Sequence, residues 1–260
     1  MEGESAPQPG GFIPPTGLLT PTPSTASSRP VVALPHPRQK PLSPSGSKGD
    51  QVRRSIEDEL LNISRRYVKK FSGPDPDNPV VGYTNFTEIA KNLEDVVDTL
   101  WRTGTPFLQI PFLLKVSGDF TQYVRSFPLA PAATFQLLSK IDHCFASLLC
   151  GHDIATQEVL PGFENGLRGG MTTTDMVRCR SLVEQTRVLI VEMISNETSE
   201  GSDEDSEDDD DEDDEEEIDI DEEDDGDNEL AGVRLEAARV YENTIIQLGS
   251  RLGDGGLAPT

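Results

Sequence analysis

An all-α fold is predicted for this chain: a bundle of about six helices, with a Pro/Ser-rich arm before it and a long acidic insert ahead of the last helix. Three observations predict it. Apolar residues recur at steps of three and four in six separate windows. No run of four or more residues shows the apolar/polar alternation of a half-buried strand. Charge is also segregated. Of 47 acidic residues, 24 lie between Glu197 and Glu229, where there is no Lys or Arg; the other 23 face 22 basic residues. A net charge of −25 therefore falls to −1 outside that stretch, so the helical part is nearly neutral.

Residues 1–49 are rich in Pro, Ser, Thr and Gly and poor in large apolar side chains. Such a segment cannot bury enough surface to offset its ordering entropy, and a disordered arm biased towards polyproline II is expected. The helical domain is then predicted over 50–197. Its first helix carries Val52, Ile56, Leu60, Ile63, Tyr67 and Phe71 on one face and stops at Gly73-Pro74. The second opens at Asn85 with Glu88 three residues on, a capping-box spacing. It buries Phe86, Ile89, Leu93, Val96, Val97, Leu100 and Trp101, and ends at Gly104 and Pro106.

A third helix is predicted from Pro111, as a first-turn proline, with Phe112, Val116, Phe120, Tyr123 and Phe127 facing inward. Pro128 and Pro131 punctuate; Phe135, Leu138, Ile141, Phe145 and Leu148 mark a fourth, stopped by Gly151. Residues 152–171 read as a loop long enough to carry function or move. Thr173 or Thr174 caps a fifth helix with Val177, Leu182, Leu189, Ile190 and Met193 inward. The disordered acidic loop is set at 198–228 and a C-terminal helix at 229–253 (Leu230, Ala238, Tyr241, Ile245, Leu248, Leu252), with a disordered tail at 254–260. An isolated amphipathic helix is marginal in water, so the last one is expected to fold back onto the bundle across the insert.

The acidic loop is the strongest functional signal. Like charges keep it from collapsing, and as a polyanion it suits basic protein surfaces such as histones, while direct nucleic-acid binding by it is disfavoured. The alternative reading is a solubilising spacer. Ser202 and Ser206, each with an acid three residues on, suit an acidophilic kinase. Ile218 and Ile220, flanked by acids, have the form of a short strand-adding motif for a ubiquitin-like modifier. On the first helix, Arg53-Arg54 and then Arg65, Arg66, Lys69 and Lys70 have bipartite nuclear-import spacing. A basic helix end facing solvent and the helix dipole accounts for them equally. In the arm, Thr20, Thr22 and Ser43 precede prolines, and Arg38 to Pro44 fits an SH3-ligand pattern.

Little suggests catalysis. His143, Cys144, Cys150 and His152 share a neighbourhood, but a six-residue cysteine spacing does not converge on a metal, and a buried thiol with surface imidazoles is expected. No cofactor or metal is expected, and neither a membrane span nor a secretory leader is read in the chain. The prediction is a non-enzymatic helical scaffold or adaptor, nuclear or nucleocytoplasmic, docking on a larger protein assembly. Its alternative is a cytoplasmic trafficking or signalling adaptor that recruits SH3-type modules through the Pro-rich arm.

Overall fold

The computed structural model describes residues 32, 34–44, 46–72, 80–200 and 225–253. They form an all-helical bundle: α1 (Ser47–Val68), α2 (Phe86–Thr103), α3 (Pro106–Val124), α4 (Pro131–Cys150), α5 (Thr173–Glu200), α6 (Asp225–Ala238) and α7 (Glu242–Leu252). No named strand occurs among the described residues; one isolated bridge joins His152 and Val159. Helix α2 packs against α1, α3 and α4, while α5 lies on α3 and meets α6 and α7. Trp101, Tyr83, Tyr241, Phe86, Phe120 and Phe145 are the largest fully buried side chains among the described residues.

Helix α2 forms as its sequence dictates. Asn85 Oδ1 accepts from the Glu88 amide at 3.0 Å, and every predicted apolar position from Phe86 to Trp101 is buried. On α1 the face Ile56, Leu60, Ile63 and Tyr67 is also buried, but Phe71 departs from it. The helix ends at Val68, and Phe71 sits beyond it at φ 64°, largely exposed, with its ring 5.2 Å from that of Phe127. Its amide donates to the Tyr83 carbonyl at 2.9 Å, so the turn is fixed by backbone pairing rather than by the ring. The same crossing explains Gly82, where a Cβ would run into the Lys69 carbonyl. Gly82→Ala is expected to push the end of α1 off the 80–83 segment at a cost of about 2 kcal/mol. A melting temperature lower by about 4–8 °C, with faster amide exchange at Lys69 to Phe71, would register it.

Folded chain begins upstream of the predicted boundary at residue 49. Residues 34–44 form a strap over the α2–α3 corner: the Arg38 amide donates to the Arg102 carbonyl at 3.1 Å and the Leu42 amide to Thr105 Oγ1 at 3.0 Å. Leu42 is buried, and a Cβ on Gly104 (φ 51°) would come within 3.0 Å of the Arg38 carbonyl. Composition counts side chains, whereas this strap is held largely by backbone groups that find partners.

Helix α3 starts five residues before the predicted Pro111, with Pro106 as the first-turn proline. Pro111 lies inside the helix on an exposed position, where its missing N–H leaves the Phe107 carbonyl without its helical donor. The 152–171 segment is built into the fold. Asp153 Oδ1 accepts from the Ala155 and Thr156 amides at 2.8 and 3.2 Å, and Leu160, Phe163 and Met171 are buried. His143, expected at the surface, is buried beneath this segment, edge-on to Trp101 and 3.2 Å from Asp153 Oδ1.

Helix α5 is capped one residue earlier than predicted: Thr172 Oγ1 accepts from the Asp175 amide, and Asp175 Oδ2 accepts from Thr172. Its buried face is Met176, Cys179, Val183, Thr186, Leu189, Ile190 and Ile194, leaving the predicted Val177 outside. The predicted last helix is two helices, broken where the buried Tyr241 adopts φ 58°. No helix among the described residues is long and apolar enough to cross a membrane.

Candidate docking surface

The position of α7 is set by a carboxylate on another helix. Asp142, fully buried in the middle of α4, accepts from the Thr244 amide at 2.8 Å, Thr244 Oγ1 at 2.7 Å and Asn243 Nδ2 at 2.9 Å. Asn243 and Thr244 lie in the first turn of α7, where backbone N–H groups lack intrahelical partners and the helix dipole is positive. Tyr241 precedes that turn and supplies no side-chain cap, so Asp142 takes the role from across the interface. Arg187 of α5 fastens the preceding corner, donating from Nη1 to the Val240 carbonyl at 3.0 Å. Burial raises the Tyr241 phenol well above its ordinary value; its hydroxyl lies near Ser117 without a direct hydrogen bond. The last helix thus docks within the chain, and α5 and α6 bracket the insert between them.

This arrangement leaves a groove of about 490 Å³ between α5 and α7. Val183 and Leu248 form its floor, Val188, Ile245 and Gly249 its walls, and Arg180, Glu184 and Arg187 its rim. Arg180 Nε pairs with Glu184 Oε1 at 2.9 Å. On the other side of α5, a cleft of about 750 Å³ against α3 shares Glu184 and Val188 and is otherwise polar, with Tyr67, Gln122, Arg125 and Ser126. Val177, Val188 and Val191 on α5 and Ile245 and Ile246 on α7 stay exposed. The surface offers shape and apolar area rather than chemistry. Burial raises the thiols of Cys144, Cys150 and Cys179, the last to about 12, which opposes a nucleophilic role. No group of three or more His, Cys, Asp or Glu side chains is placed to hold a metal among the described residues.

Residues 82–249, from just before α2 into α7 and across the acidic insert, match the family model described as subunit 11 of the general transcription factor TFIIH (TFB6). The chain belongs to this family. An uncharacterized protein of Schizosaccharomyces pombe is 27% identical over 150 residues, covering 56% of this chain and 80% of its relative. No solved structure matches the chain. As a TFIIH subunit 11 protein it is a non-enzymatic, nuclear component of a transcription-factor assembly, and the cytoplasmic-adaptor alternative is set aside.

The basic cluster falls on α1 and the turn after it, ahead of the family match. Arg53, Arg54 and Arg65 are exposed. Arg66 is committed to the fold: it stacks 3.9 Å from the Tyr83 ring, donates to the Val81 carbonyl at 3.1 Å and pairs with Glu88 at 3.3 Å. Lys70 lies 4.6 Å from the Tyr67 ring and Lys69 is half-buried. The six side chains therefore do not form one free face. Ser43 is exposed in a turn whose carbonyl accepts from Gly46 at 3.1 Å, and the SH3-like stretch around it is the strap itself. Thr20, Thr22, Ser202, Ser206, Ile218 and Ile220 lie outside the described residues. Sequence reasoning missed Asp142. The signal was available: an acid between Ile141 and Phe145, on a helix read as apolar, requires a dedicated partner.

Proposed function

We propose that this protein is a scaffold subunit that docks on the TFIIH assembly through its helical body and presents its acidic insert to a basic protein surface, histones being the simplest example. One observation carries this reading: most of the net negative charge lies between the end of α5 and the start of α6, and α7, which follows, is fastened to the bundle by Asp142. Anchored at both ends, α5 and α6, the polyanion stays attached to the assembly while remaining available to a partner. The 19 carboxylates at 201–224 attract basic surfaces at long range, an effect that weakens as salt shortens the screening length.

Residues 201–224 would be replaced by a neutral Gly/Ser stretch of equal length and both proteins passed over immobilised histones at rising salt. The unaltered chain is expected to bind at low salt and elute as salt rises, and the replaced chain to flow through. Equal retention of the two would refute the role given to the insert, leaving TFIIH membership untouched.

A further inference from the structure

We propose that the groove between α5 and α7 seats an amphipathic helix of another protein in the assembly, one whose apolar stripe is flanked by carboxylates. The proposal rests on the reading that the helical body docks on TFIIH, and it names the surface and the chemistry of what lies there. Of the groove's own lining, Val188 on α5 is more than half exposed and Ile245 on α7 is 39% exposed; Val177 and Val191 on α5 and Ile246 on α7, each more than half exposed, flank it along the same two helices. On α5, positions 177, 184, 188 and 191 recur at steps of seven, four and three, so they line one side of a helix that runs 28 residues. Gly249 keeps the α7 wall low: a Cβ there would meet nothing within 4 Å. A ledge on one helix facing a low wall on the next accepts a third helix by its apolar stripe.

Charge selects the occupant. In a chain of net charge −25, the rim of this groove carries Arg180 and Arg187 against Glu184. The two arginines are seven residues apart, two turns or about 10.5 Å along α5. Bonds to Glu184 and to the Val240 carbonyl hold them in place. A helix with apolar residues at i, i+3 or i+4 and i+7, and acids seven residues apart on its flank, matches both spacings. The chain's own Ile218 and Ile220 fit the groove less well by reach. Ile220 is five residues from Asp225, at most about 18 Å of extended chain. Helix α6 already runs about 20 Å from Asp225 to its end, next to the corner that Arg187 holds.

Two synthetic 21-residue helices with the same leucine stripe, one flanked by Glu and one by Lys, would be titrated against the full chain by fluorescence anisotropy. The Glu-flanked peptide is expected to bind despite the chain's own charge, with Val188→Asp and Arg180→Glu each weakening it at least tenfold. The Lys-flanked peptide, drawn to the acidic insert, should be indifferent to Val188→Asp. Failure of the Glu-flanked peptide to bind, or its indifference to both substitutions, overturns the proposal. So does a wild-type dimer in sedimentation that Val188→Asp dissolves, since a second copy would then be the occupant. With the tagged chain in nuclear extract, Val188→Asp and Ile245→Asp are expected to lose TFIIH subunits that the wild type retains. Equal retention sinks the surface alone, whereas a wild type that retains none sinks the docking reading beneath it.

Discussion

Asp142→Ala is expected to lower the melting temperature by about 8–16 °C and to free α7 from the bundle. The carboxylate is fully buried and receives three bonds shorter than 3 Å, two of them from Thr244. Alanine leaves the Thr244 amide, its hydroxyl and the Asn243 side chain facing a void, and each orphaned donor costs about 1–3 kcal/mol. A total near 4 kcal/mol, at about 2–4 °C per kcal/mol for a body of this size, gives that shift. Asp142→Asn keeps one acceptor oxygen for Thr244 but turns an amide donor towards Asn243, so about half the loss is expected. Thermal melts of the two variants measure the ordering. Amide exchange across Glu242–Leu252 should accelerate in the alanine variant while α2 stays protected, and a uniform loss of protection would contradict a local clamp.

What could be read in the sequence follows from which interactions are local. The face and cap of α2 are written in neighbouring residues, Asn85 with Glu88 and the apolar series from Phe86 to Trp101, and the structure agrees with both. Helix α5 was harder, because its sequence is apolar on two sides: Met176, Cys179, Val183, Leu189 and Ile190 inward, Val177, Val188 and Val191 outward. Periodicity reports a stripe and not what covers it. The break at Tyr241 has no Gly or Pro to announce it. It arises because Asp142, about a hundred residues away, fixes where the first turn of α7 must begin, while Tyr241 fills the core 6.4 Å from Phe145. The left-handed backbone at Tyr241 costs about 1–2 kcal/mol, which the buried ring and the borrowed cap offset.

The surface assigned to docking was invisible for the same reason. Ile245, Val188, Arg180 and Arg187 come together only once α7 has been fastened beside α5. The acidic insert, by contrast, needed no tertiary information, since charge density alone sets its field. That division places the recognition surface at the mercy of the clamp: loosening Asp142 should degrade the α5–α7 groove while leaving the insert's attraction for basic proteins intact.

Lys140→Ala is expected to cost about 3 kcal/mol, roughly 6–12 °C, through a different buried charge. Lys140, on α4 and buried, holds Glu94 at 3.1 Å and Asp98 at 3.0 Å on α2. Those acids are four residues apart on α2, so removing the ammonium leaves two like charges side by side in a half-buried seam, with Gln136 Nε2 still donating to Glu94 at 3.0 Å. Burial works to lower the Lys140 pKa, but hydrogen bonds and attraction from Asp98 and Glu94 outweigh it and hold it above the ordinary 10.5. A cation whose folded pKa is raised stabilises fully below its unfolded pKa and loses that contribution as pH climbs through the folded value. The wild type should therefore lose stability specifically above pH 10.5, and Lys140→Met, which keeps most of the volume, should lack that component. Adding Glu94→Gln and Asp98→Asn to Lys140→Met should recover most of the loss, because an uncharged seam has nothing left to desolvate unpaired. If the triple variant melts no higher than Lys140→Met alone, unpaired carboxylates are not the source of the penalty, and the lysine acts through packing of its stem between α2 and α4.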